Sequence, residues 1–452
     1  MKIIIAGGGK VGELLTKKLS AEGDDLTIVD PDPLTLEKVI ERYDVFGVTG
    51  NSASLGVLKQ AGVQEADLMI ATAGSDEINF LCCLSAHQLN PALRSIARVR
   101  NPEYLGQSYS MREIFGLSMT VNPERQAAGE IRRLLKYPGF LKRDTFAKGK
   151  VEIVELKLEE DSPLCNIQLK NLNSVVECKV LIFSVLREGK AVAPGGDFRL
   201  HAGDRIFVTA PSENLSALLR SLGIVTHKVR KVIIAGGGRT SYYLAEGLHK
   251  DGISVQIIEK DEDKCLALSR ALPHAAIIQG DASSQNILES EGIYETDALV
   301  SLTGLDELNI IISYYGTVCN VPQIITKLNH VNNQQILEHL EVGSIIVPKE
   351  LCATNIVRYV HAMKHKTGAA ISIHPLADAQ AEAVEFRVDS TTKHTGEELK
   401  SIRLKPGVLV CCITHGPETE IPNGNSVFRL NDTVIVVAPV GMSLLQLNDI
   451  FE

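Results

Sequence analysis

A glycine-rich loop near the start of the chain has the composition and spacing of a phosphate-binding loop. The sequence Gly7-Gly8-Gly9-Lys10-Val11-Gly12 follows an apolar run and precedes a helical pattern of leucines. In Gly-x-Gly-x-x-Gly the three glycines allow a tight turn, close approach of the backbone to a pyrophosphate, and close helix–strand packing. The helix that follows offers free N–H groups and a positive dipole end. We therefore expect residues 7–12 to hold the phosphates of a nucleotide.

A carboxylate follows the second predicted strand, at the position where such a site binds the ribose of its nucleotide. Asp30 closes the second apolar run, 18 residues after Gly12. A carboxylate at this place accepts hydrogen bonds from ribose hydroxyls, and its charge disfavours the 2′-phosphate of NADP. NAD, ATP and ADP present the same ribose, so Asp30 does not distinguish between them.

Further residues follow the later predicted strands, at the edge where parallel strands line a ligand crevice. Asn51 follows the third strand, Ala73 and Gly74 follow the fourth, and Arg98 lies in the fifth. Small residues let the backbone approach a nucleotide, while Asn51 and Arg98 suit its adenosine or its phosphates. Arg98 is equally compatible with a charge at a solvated strand end. Asp76 is expected to be a charge in the first turn of the next helix rather than a ligand contact.

The elements around the loop occur twice. The run Lys2-Ile3-Ile4-Ile5-Ala6-Gly7-Gly8-Gly9 returns 229 residues later as Lys231-Val232-Ile233-Ile234-Ala235-Gly236-Gly237-Gly238. Asp76-Glu77-x-Asn79 likewise returns as Asp306-Glu307-x-Asn309, at a spacing of 230. Similar spacing over many elements indicates a gene duplication and predicts two copies of one domain.

The second loop departs from the first at its last glycine. Gly236-Gly237-Gly238-Arg239-Thr240-Ser241 has Ser241 at the third glycine position, where a Cβ and a hydroxyl crowd the closest helix–strand contact. Arg239 is well placed to help hold phosphate, and Glu259 stands where Asp30 does in the first copy. The second copy is therefore either a working site or a Rossmann unit that has lost its ligand.

Each copy continues with a connecting helix and a small lobe. Apolar residues at helical spacing follow Pro123 and Pro348, which predicts helices with one apolar stripe that could pack against another module. Short strands and one helix follow, as in a small α+β lobe. The predicted fold class is α/β, with two Rossmann-like parallel-sheet domains, each followed by a small α+β domain. The predicted segments are the first nucleotide-binding domain 1–123, connecting helix and linker 124–150, first small domain 151–222, linker 223–230, second nucleotide-binding domain 231–348, connecting helix 349–369 and second small domain 370–452.

Composition limits the classes of function. A net charge of -9 and a pI near 5.8 argue against nucleic acid as a partner, because counterion release needs a basic face. No helix-turn-helix with a basic recognition helix stands out, which disfavours a transcriptional regulator. The nine cysteines contain no Cys-x-x-Cys and are expected to be reduced, buried thiols. No apolar run reaches the ~18 residues of a membrane span, so we expect a soluble protein that acts on a membrane through a partner.

An NAD-dependent dehydrogenase with a duplicated Rossmann core is the alternative function. Such an enzyme needs a proton donor or acceptor beside the nicotinamide, usually supported by a carboxylate. The histidines are scattered, and the small lobes share no polar constellation. His361 and His365 share a predicted helix face near His374, but no carboxylate or cysteine completes a ligand set. We therefore expect a solvated helix end there, no metal site and no catalytic residues.

The order of these motifs resembles the regulator-of-potassium-conductance (RCK/KTN) family in its duplicated form. The resemblance covers essentially the whole chain, and its most specific parts are the duplication and the segment Arg98-Val99-Arg100-Asn101-Pro102-Glu103-Tyr104. It implies a cytoplasmic regulatory subunit that gates a membrane-embedded Trk-type potassium-translocating subunit by ligand-dependent conformational change. It also implies a homo-oligomer, a dimer or a tetramer ring, held at the cytoplasmic face of the inner membrane through that partner.

The resemblance further implies which residues contact the nucleotide. NAD(H) is the expected ligand of the first site, and ATP or ADP is a candidate at either site. In the first copy the implied contacts are Gly7, Gly8, Gly9, Lys10, Val11, Gly12, Asp30, Asn51, Ala73, Gly74 and Arg98. In the second copy the matching positions are Gly236, Gly237, Gly238, Arg239, Thr240, Glu259, Asp281, Thr303, Gly304 and Lys327. Ser241 in place of glycine and Lys327 in place of arginine distinguish the second set from the first.

Overall fold

A computed structural model of the protein describes most of the chain. The described residues are 1–110, 112–136, 141–147, 150–211, 214–222, 229–329, 342–364, 370–377, 380–416, 418–440, 442, 444 and 446–452. Parts of the predicted segments 124–150, 223–230 and 349–369 therefore lie outside them. The chain divides into two compact units, one of Met1–Ala127 with Val347–Val360 and one of Ala128–Ile346 with His361–Glu452. Among the described residues, no helix combines the length and the apolar character needed to cross a membrane.

The first unit contains a Rossmann-like lobe built on a parallel sheet. Its elements are β1 (Lys2–Ala6), α1 (Lys10–Ala21), β2 (Asp25–Asp30), α2 (Pro33–Tyr43), β3 (Phe46–Thr49), α3 (Leu55–Gln60), β4 (Leu68–Ala71), α4 (Asp76–Leu89), β5 (Arg94–Arg98), α5 (Pro102–Ser110) and β6 (Leu117–Val121). The strands lie in the order β3-β2-β1-β4-β5-β6 with parallel neighbours. The central strands are continuous apolar runs because both of their faces are buried. The strand order reverses between β1 and β4, which is where ligands bind in open parallel sheets.

A connecting helix and an antiparallel lobe follow. They comprise α6 (Pro123–Lys136), β7 (Lys142–Phe146), β8 (Val151–Lys157), β9 (Leu181–Arg187), β10 (Lys190–Val192), β11 (Arg205–Pro211) and α7 (Leu215–Ser221), with the sheet order β10-β9-β11-β8-β7. Strand β7 lies in the segment that the sequence suggests is a linker, and it pairs with β8 along its whole length. By pairing with β8, β7 supplies hydrogen-bond partners to backbone N–H and C=O groups of β8 that would otherwise lie at the edge of the sheet.

The second Rossmann-like lobe repeats the first. Its elements are β12 (Lys231–Ala235), α8 (Arg239–Lys250), β13 (Ser254–Glu259), α9 (Glu262–Ala271), β14 (Ala276–Gln279), α10 (Gln285–Ser290), β15 (Ala298–Ser301), α11 (Asp306–Val318), β16 (Gln323–Lys327) and β17 (Ser344–Ile346). The order β14-β13-β12-β15-β16-β17 and the parallel pairing match the first lobe strand for strand. The tandem α/β fold that the sequence predicts is thus confirmed.

The second small lobe also repeats its counterpart. After α12 (Pro348–Lys364), it contains β18 (Ala370–Leu376), β19 (Ala381–Arg387), β20 (Leu409–His415), β21 (Glu418–Glu420) and β22 (Thr433–Pro439). Their order, β18-β19-β22-β20-β21, is that of the first small lobe. The two small lobes share one apolar cluster, which includes Phe146, Phe183, Phe207, Cys411 and Ile435. Strand β8 is therefore buried on both faces, one against its own lobe and one against the other small lobe.

The connecting helices pack on the Rossmann-like lobe of the other copy. In the second unit, Arg132 of α6 pairs with Asp251 just after α8, and the side chain of Gln323 on β16 donates to the Leu134 carbonyl oxygen at 2.9 Å. In the first unit, Glu350 of α12 pairs with Lys18 of α1 at 3.1 Å. The two helices are thus exchanged between the copies.

This exchange buries the apolar stripes that the sequence predicts. The buried stripe residues are Ala127, Ala128, Ile131, Leu134 and Leu135 on α6, and Ala353, Ile356, Val357 and Val360 on α12. The expectation that each stripe packs against another module is met within one chain, where both stripes are covered.

Candidate functional site

The first glycine loop joins β1 to α1 and has no room for side chains at two of its positions. Gly7 has φ near +100°, and a Cβ there would lie 2.9 Å from the Ala73 nitrogen. A Cβ on Gly12 would lie 1.8 Å from the Gly7 carbonyl oxygen. Both glycines are therefore required by packing within the lobe. Gly9 is different, because a Cβ there would meet no described atom within 4 Å, and its open side is where a ligand would approach.

Asp30 is held at the loop by hydrogen bonds rather than left mobile. Its Oδ2 accepts from the Gly8 nitrogen at 2.7 Å, and its Oδ1 accepts from the Asp32 nitrogen at 2.9 Å. A Cβ on Gly8 would lie 3.1 Å from the Thr35 methyl group and at an ordinary contact distance of 3.6 Å from the same carboxylate. An ionised carboxylate has lone pairs beyond these two bonds. Asp30 can therefore accept further hydrogen bonds from a pair of ribose hydroxyls.

The remaining residues predicted in the first copy lie at the same edge of the sheet. The loop after β3 is tied to β2, because the Gly50 nitrogen donates to the Asp30 carbonyl oxygen at 3.0 Å. Asn51 in that loop accepts from the Ala53 nitrogen at 3.0 Å. Arg98 at the end of β5 donates from Nη2 to the Ala73 carbonyl oxygen at 2.6 Å. The carboxyl ends of neighbouring strands thus bring these residues together around the strand-order reversal.

Arg98 is not a charge at a solvated strand end. The side chain is half-buried, and its Nε is buried without a hydrogen-bond partner among the described residues. Burial lowers the pKa of the Arg98 guanidinium and the charge of Arg100 adds to this effect, while Glu124 opposes it. Burial also raises the pKa of the nearby Cys352 thiol on α12 to about 12, against the charge of Arg98. A desolvated guanidinium at this edge favours an anionic partner.

Two polar side chains of α4 that the sequence did not assign to the site also hold this edge. Asp76 is only 7% exposed, and its Oδ2 accepts from the Arg100 and Asn101 nitrogens at 2.9 and 2.7 Å. Asn79 is fully buried and joins the loop after β4 to the end of β5. Asp76 thus contacts the backbone after β5 besides starting a helix. The signal that could have found both is the repeated Asp-Glu-x-Asn.

The second copy has the same loop geometry. Gly236 has φ near +101°, and the Glu259 Oε2 accepts from the Gly237 nitrogen at 2.7 Å. Lys327, in place of arginine, donates to the Leu302 carbonyl oxygen at 3.3 Å. Asp281, in place of Asn51, accepts from the Ser283 nitrogen at 2.9 Å.

Ser241 is accommodated where the first copy needs a glycine. The residue is buried, and its Oγ donates to the carbonyl oxygen of Gly236. A hydrogen bond of this kind satisfies the buried hydroxyl, so the serine locks the loop to the helix instead of deforming the loop. Gly238 and Arg239 are exposed, as are Gly9 and Lys10 in the first copy.

The histidines near α12 are not at a solvated helix end. His361 and His374 are only 7% and 3% exposed, and the His374 ring lies 4.4 Å from that of Phe146. The expectation of solvated side chains is therefore wrong for these two residues, because they are covered by neighbouring elements, and His365 lies outside the described residues. Among the residues that the structure describes, no group of three or more His, Cys, Asp or Glu is arranged to hold a metal ion.

Comparison with known proteins identifies the domains. Residues 3–123 and 232–348 match the TrkA-N domain, and residues 153–223 match the TrkA-C domain. The chain is 32% identical to a Trk system potassium uptake protein TrkA homolog of Archaeoglobus fulgidus, covering 97% of both chains. It is 30% identical to the Trk system potassium uptake protein TrkA of Halomonas elongata, covering 96% of this chain and 95% of the relative.

A solved structure shares the architecture. The crystal structure of the GsuK RCK domain has a TM-score of 0.61 at 18% identity, covering 97% of this chain and 92% of that chain. The duplicated lobes and their order are thus found in an RCK protein, while full-length identity and the matched domains connect the chain to potassium uptake. The chain therefore belongs to the TrkA family of Trk system potassium uptake proteins.

Proposed function

We propose that this chain is a cytoplasmic regulatory subunit that binds adenine nucleotides and thereby gates a membrane-embedded, Trk-type potassium-translocating subunit. The observation that carries the proposal is the first glycine loop with its carboxylate and half-buried arginine, in a chain that belongs to a potassium uptake family. The bound nucleotide would act by changing the conformation of the subunit, and the subunit would not convert the nucleotide into a product. The subunit would act as a homo-oligomer, a dimer or a tetramer ring, at the cytoplasmic face of the membrane.

The proposed ligand of the first site is NAD(H), and ATP or ADP remains a candidate at either site. Residues 7–12 would hold the phosphates at the start of α1, where free N–H groups favour an anion. Asp30 would accept from the ribose, and Arg98 would supply a positive charge that the fold has already desolvated. The second-copy residues would do the same with Glu259 and Lys327. These site assignments and the domain boundaries drawn from the sequence stay predictions.

The contacts of α1 support a route by which nucleotide binding would move the connecting helix α12. This helix starts at the glycine loop and carries Lys18, which pairs with Glu350 of α12. From α12 the chain continues into the second small lobe. In the other copy α8 starts at its own glycine loop and ends beside Asp251, which pairs with Arg132 of α6. A ligand that binds one helix arrangement tenfold better than another shifts the equilibrium by about 1.4 kcal/mol per site.

Ion flux tests the proposal. The purified chain is reconstituted with a Trk-type membrane subunit in potassium-loaded liposomes, and flux is measured against NAD, NADH, ATP and ADP. We expect flux to change with at least one of these nucleotides. A potassium flux that is the same with and without each of the four nucleotides contradicts the gating proposal. Steady oxidation of NADH with a small substrate would favour a dehydrogenase.

Replacing Asp30 by alanine is expected to weaken nucleotide binding at the first site. The variant loses a charge-assisted contact to the ribose of roughly 1.5–3 kcal/mol, which is about ten- to a hundredfold in affinity. Calorimetric titration with NADH and with ATP measures the change. Asp25→Ala is a suitable control, because the exposed Asp25 begins β2, at the opposite end of the strand from Asp30, and lies outside the predicted contacts. Equal affinity of Asp30→Ala and the unmodified chain would show that Asp30 is not a ribose ligand.

A further inference from the structure

A buried asparagine spans the carboxyl edge of the sheet in each copy. Asn79 on α4 has no exposed surface, and its Oδ1 accepts from the Ala73 nitrogen at 2.7 Å. Its Nδ2 donates to the Arg98 carbonyl oxygen at 2.9 Å. One side-chain amide therefore joins the loop after β4 to the end of β5, which are two segments predicted to contact the nucleotide.

The Arg98 side chain completes a ring of hydrogen bonds with Asn79 and Ala73. The Arg98 guanidinium donates back to the Ala73 carbonyl oxygen at 2.6 Å, so both polar groups of the Ala73 backbone are used. Strand β4 ends at Ala71, and the amide of Ala73 lies beyond the strand pairing of the sheet. Without Asn79 this part-buried amide would lose its acceptor, and a backbone donor that loses its partner away from bulk water is costly. The loop would then have to move toward another acceptor.

We call the pair of hydrogen bonds from Asn79 to the loop after β4 and to the end of β5 a clamp. The second copy has the same clamp although its surroundings differ. Asn309 on α11 is fully buried, accepts from the Thr303 nitrogen at 2.8 Å and donates to the Lys327 carbonyl oxygen at 2.9 Å. The residues on which it acts have changed, from Ala73 to Thr303 and from Arg98 to Lys327. The hydrogen bonds that the two copies share join the asparagine to backbone atoms, and in the second copy the Thr303 hydroxyl also donates to the Asn309 Oδ1 at 2.6 Å.

We propose that Asn79 and Asn309 are positioning residues of the two nucleotide sites. Each holds the loop after the fourth strand and the cationic end of the fifth strand at the spacing the ligand requires, without contacting the ligand. The inference rests on the proposed function, because it presupposes an adenine nucleotide at this edge. It predicts that each asparagine supports its own copy's site alone.

The test compares Asn79→Ala with Asn309→Ala, which removes the same clamp from the other copy. NADH and ATP are titrated calorimetrically into each full-length variant, and the binding that Asp30→Ala weakens defines the signal of the first site. We expect Asn79→Ala to weaken first-site affinity about tenfold or more, and Asn309→Ala to leave it within about twofold. Both variants should lower the thermal transition by similar amounts, so loss of stability by itself does not account for the difference.

The outcomes separate this inference from the function on which it rests. First-site binding that is unchanged in Asn79→Ala, or equally weakened in both variants, overturns the positioning role. An unmodified chain that binds no adenine nucleotide overturns the proposed function instead. Should Asn79→Ala not fold, Asn79→Leu serves in its place, because leucine keeps the approximate size and branched shape of the buried side chain and removes both of its polar groups. It too should bind more weakly, and wild-type affinity would overturn the role.

Discussion

Gly12→Ala is expected to abolish nucleotide binding at the first site and to destabilise the first Rossmann-like lobe. The new Cβ would lie 1.8 Å from the Gly7 carbonyl oxygen and 3.3 Å from the Thr72 hydroxyl. The oxygen belongs to the backbone of a turn with positive φ, so it cannot move as the end of a flexible side chain would. Relief requires α1 to shift away from β1, at roughly 1–3 kcal/mol or more, and the shift displaces the N–H groups that face the phosphates.

Two matched glycine variants separate binding from packing. A Cβ at Gly9 meets no described atom within 4 Å, so Gly9→Ala should leave the thermal transition unchanged while it obstructs the ligand. Gly129→Ala on α6 also meets nothing within 4 Å and should leave binding unchanged, while it raises stability by about 0.5–1 kcal/mol because alanine favours the helix more than glycine does. Calorimetric titration and thermal unfolding measure the two effects. Binding to Gly12→Ala that equals wild type would contradict the assignment of the loop, as would normal binding to Gly9→Ala.

Asp204→Asn is expected to destabilise the first small lobe by roughly 3 kcal/mol. The Asp204 side chain is only 1% exposed and accepts two hydrogen bonds from Arg187, each of 2.7 Å. Its Oδ2 also accepts from the His201 nitrogen at 2.8 Å. Removing one partner of a buried pair leaves the other charge without compensation. Because Arg187 is partly exposed, we expect the lower end of the range for such pairs.

The loss of stability caused by Asp204→Asn should become smaller as the pH falls. Burial acts to raise the pKa of Asp204, but hydrogen bonds from Arg187 and the His201 backbone outweigh it and hold the pKa below its ordinary value. A carboxyl group with a lowered folded-state pKa stabilises the protein above its unfolded pKa, and this contribution is lost as the pH falls. The variant and the unmodified chain should therefore differ fully at pH 7 and converge below about pH 4.

Thermal unfolding of the two chains across this pH range measures the difference. Asp197→Asn is the control in the same lobe, because Asp197 pairs with Lys170 but is 86% exposed. Exposed pairs contribute about 0–1 kcal/mol, so this control should change little at any pH. A difference for Asp204→Asn that persists unchanged in acid would show that packing, and not the ion pair, is responsible.

The local parts of the fold and of the candidate site could be predicted because they follow from local rules. Gly7 needs a positive φ, Asp30 has to follow the second strand, and both constraints act within a few residues. The role of Asn79 could not be predicted in this way. Its two partners, Ala73 and Arg98, lie 6 and 19 residues away along the chain, and a helical asparagine has no local signature for such contacts. The burial of His374 was missed for the same reason, since Phe146, which packs against its ring, is distant in sequence.

By itself, the sequence determined the duplication, the two Rossmann-like lobes with their glycine loops and carboxylates, and the small α+β lobes that follow. Period-2 and period-3.6 patterns and glycine requirements specify elements directly. Only the tertiary structure decided that α6 and α12 are exchanged, so that Arg132 meets Asp251 and Lys18 meets Glu350. The physical reason is that an apolar stripe specifies burial without specifying a partner, because the hydrophobic effect has no direction. The partner is chosen by the shape and charge of the whole fold.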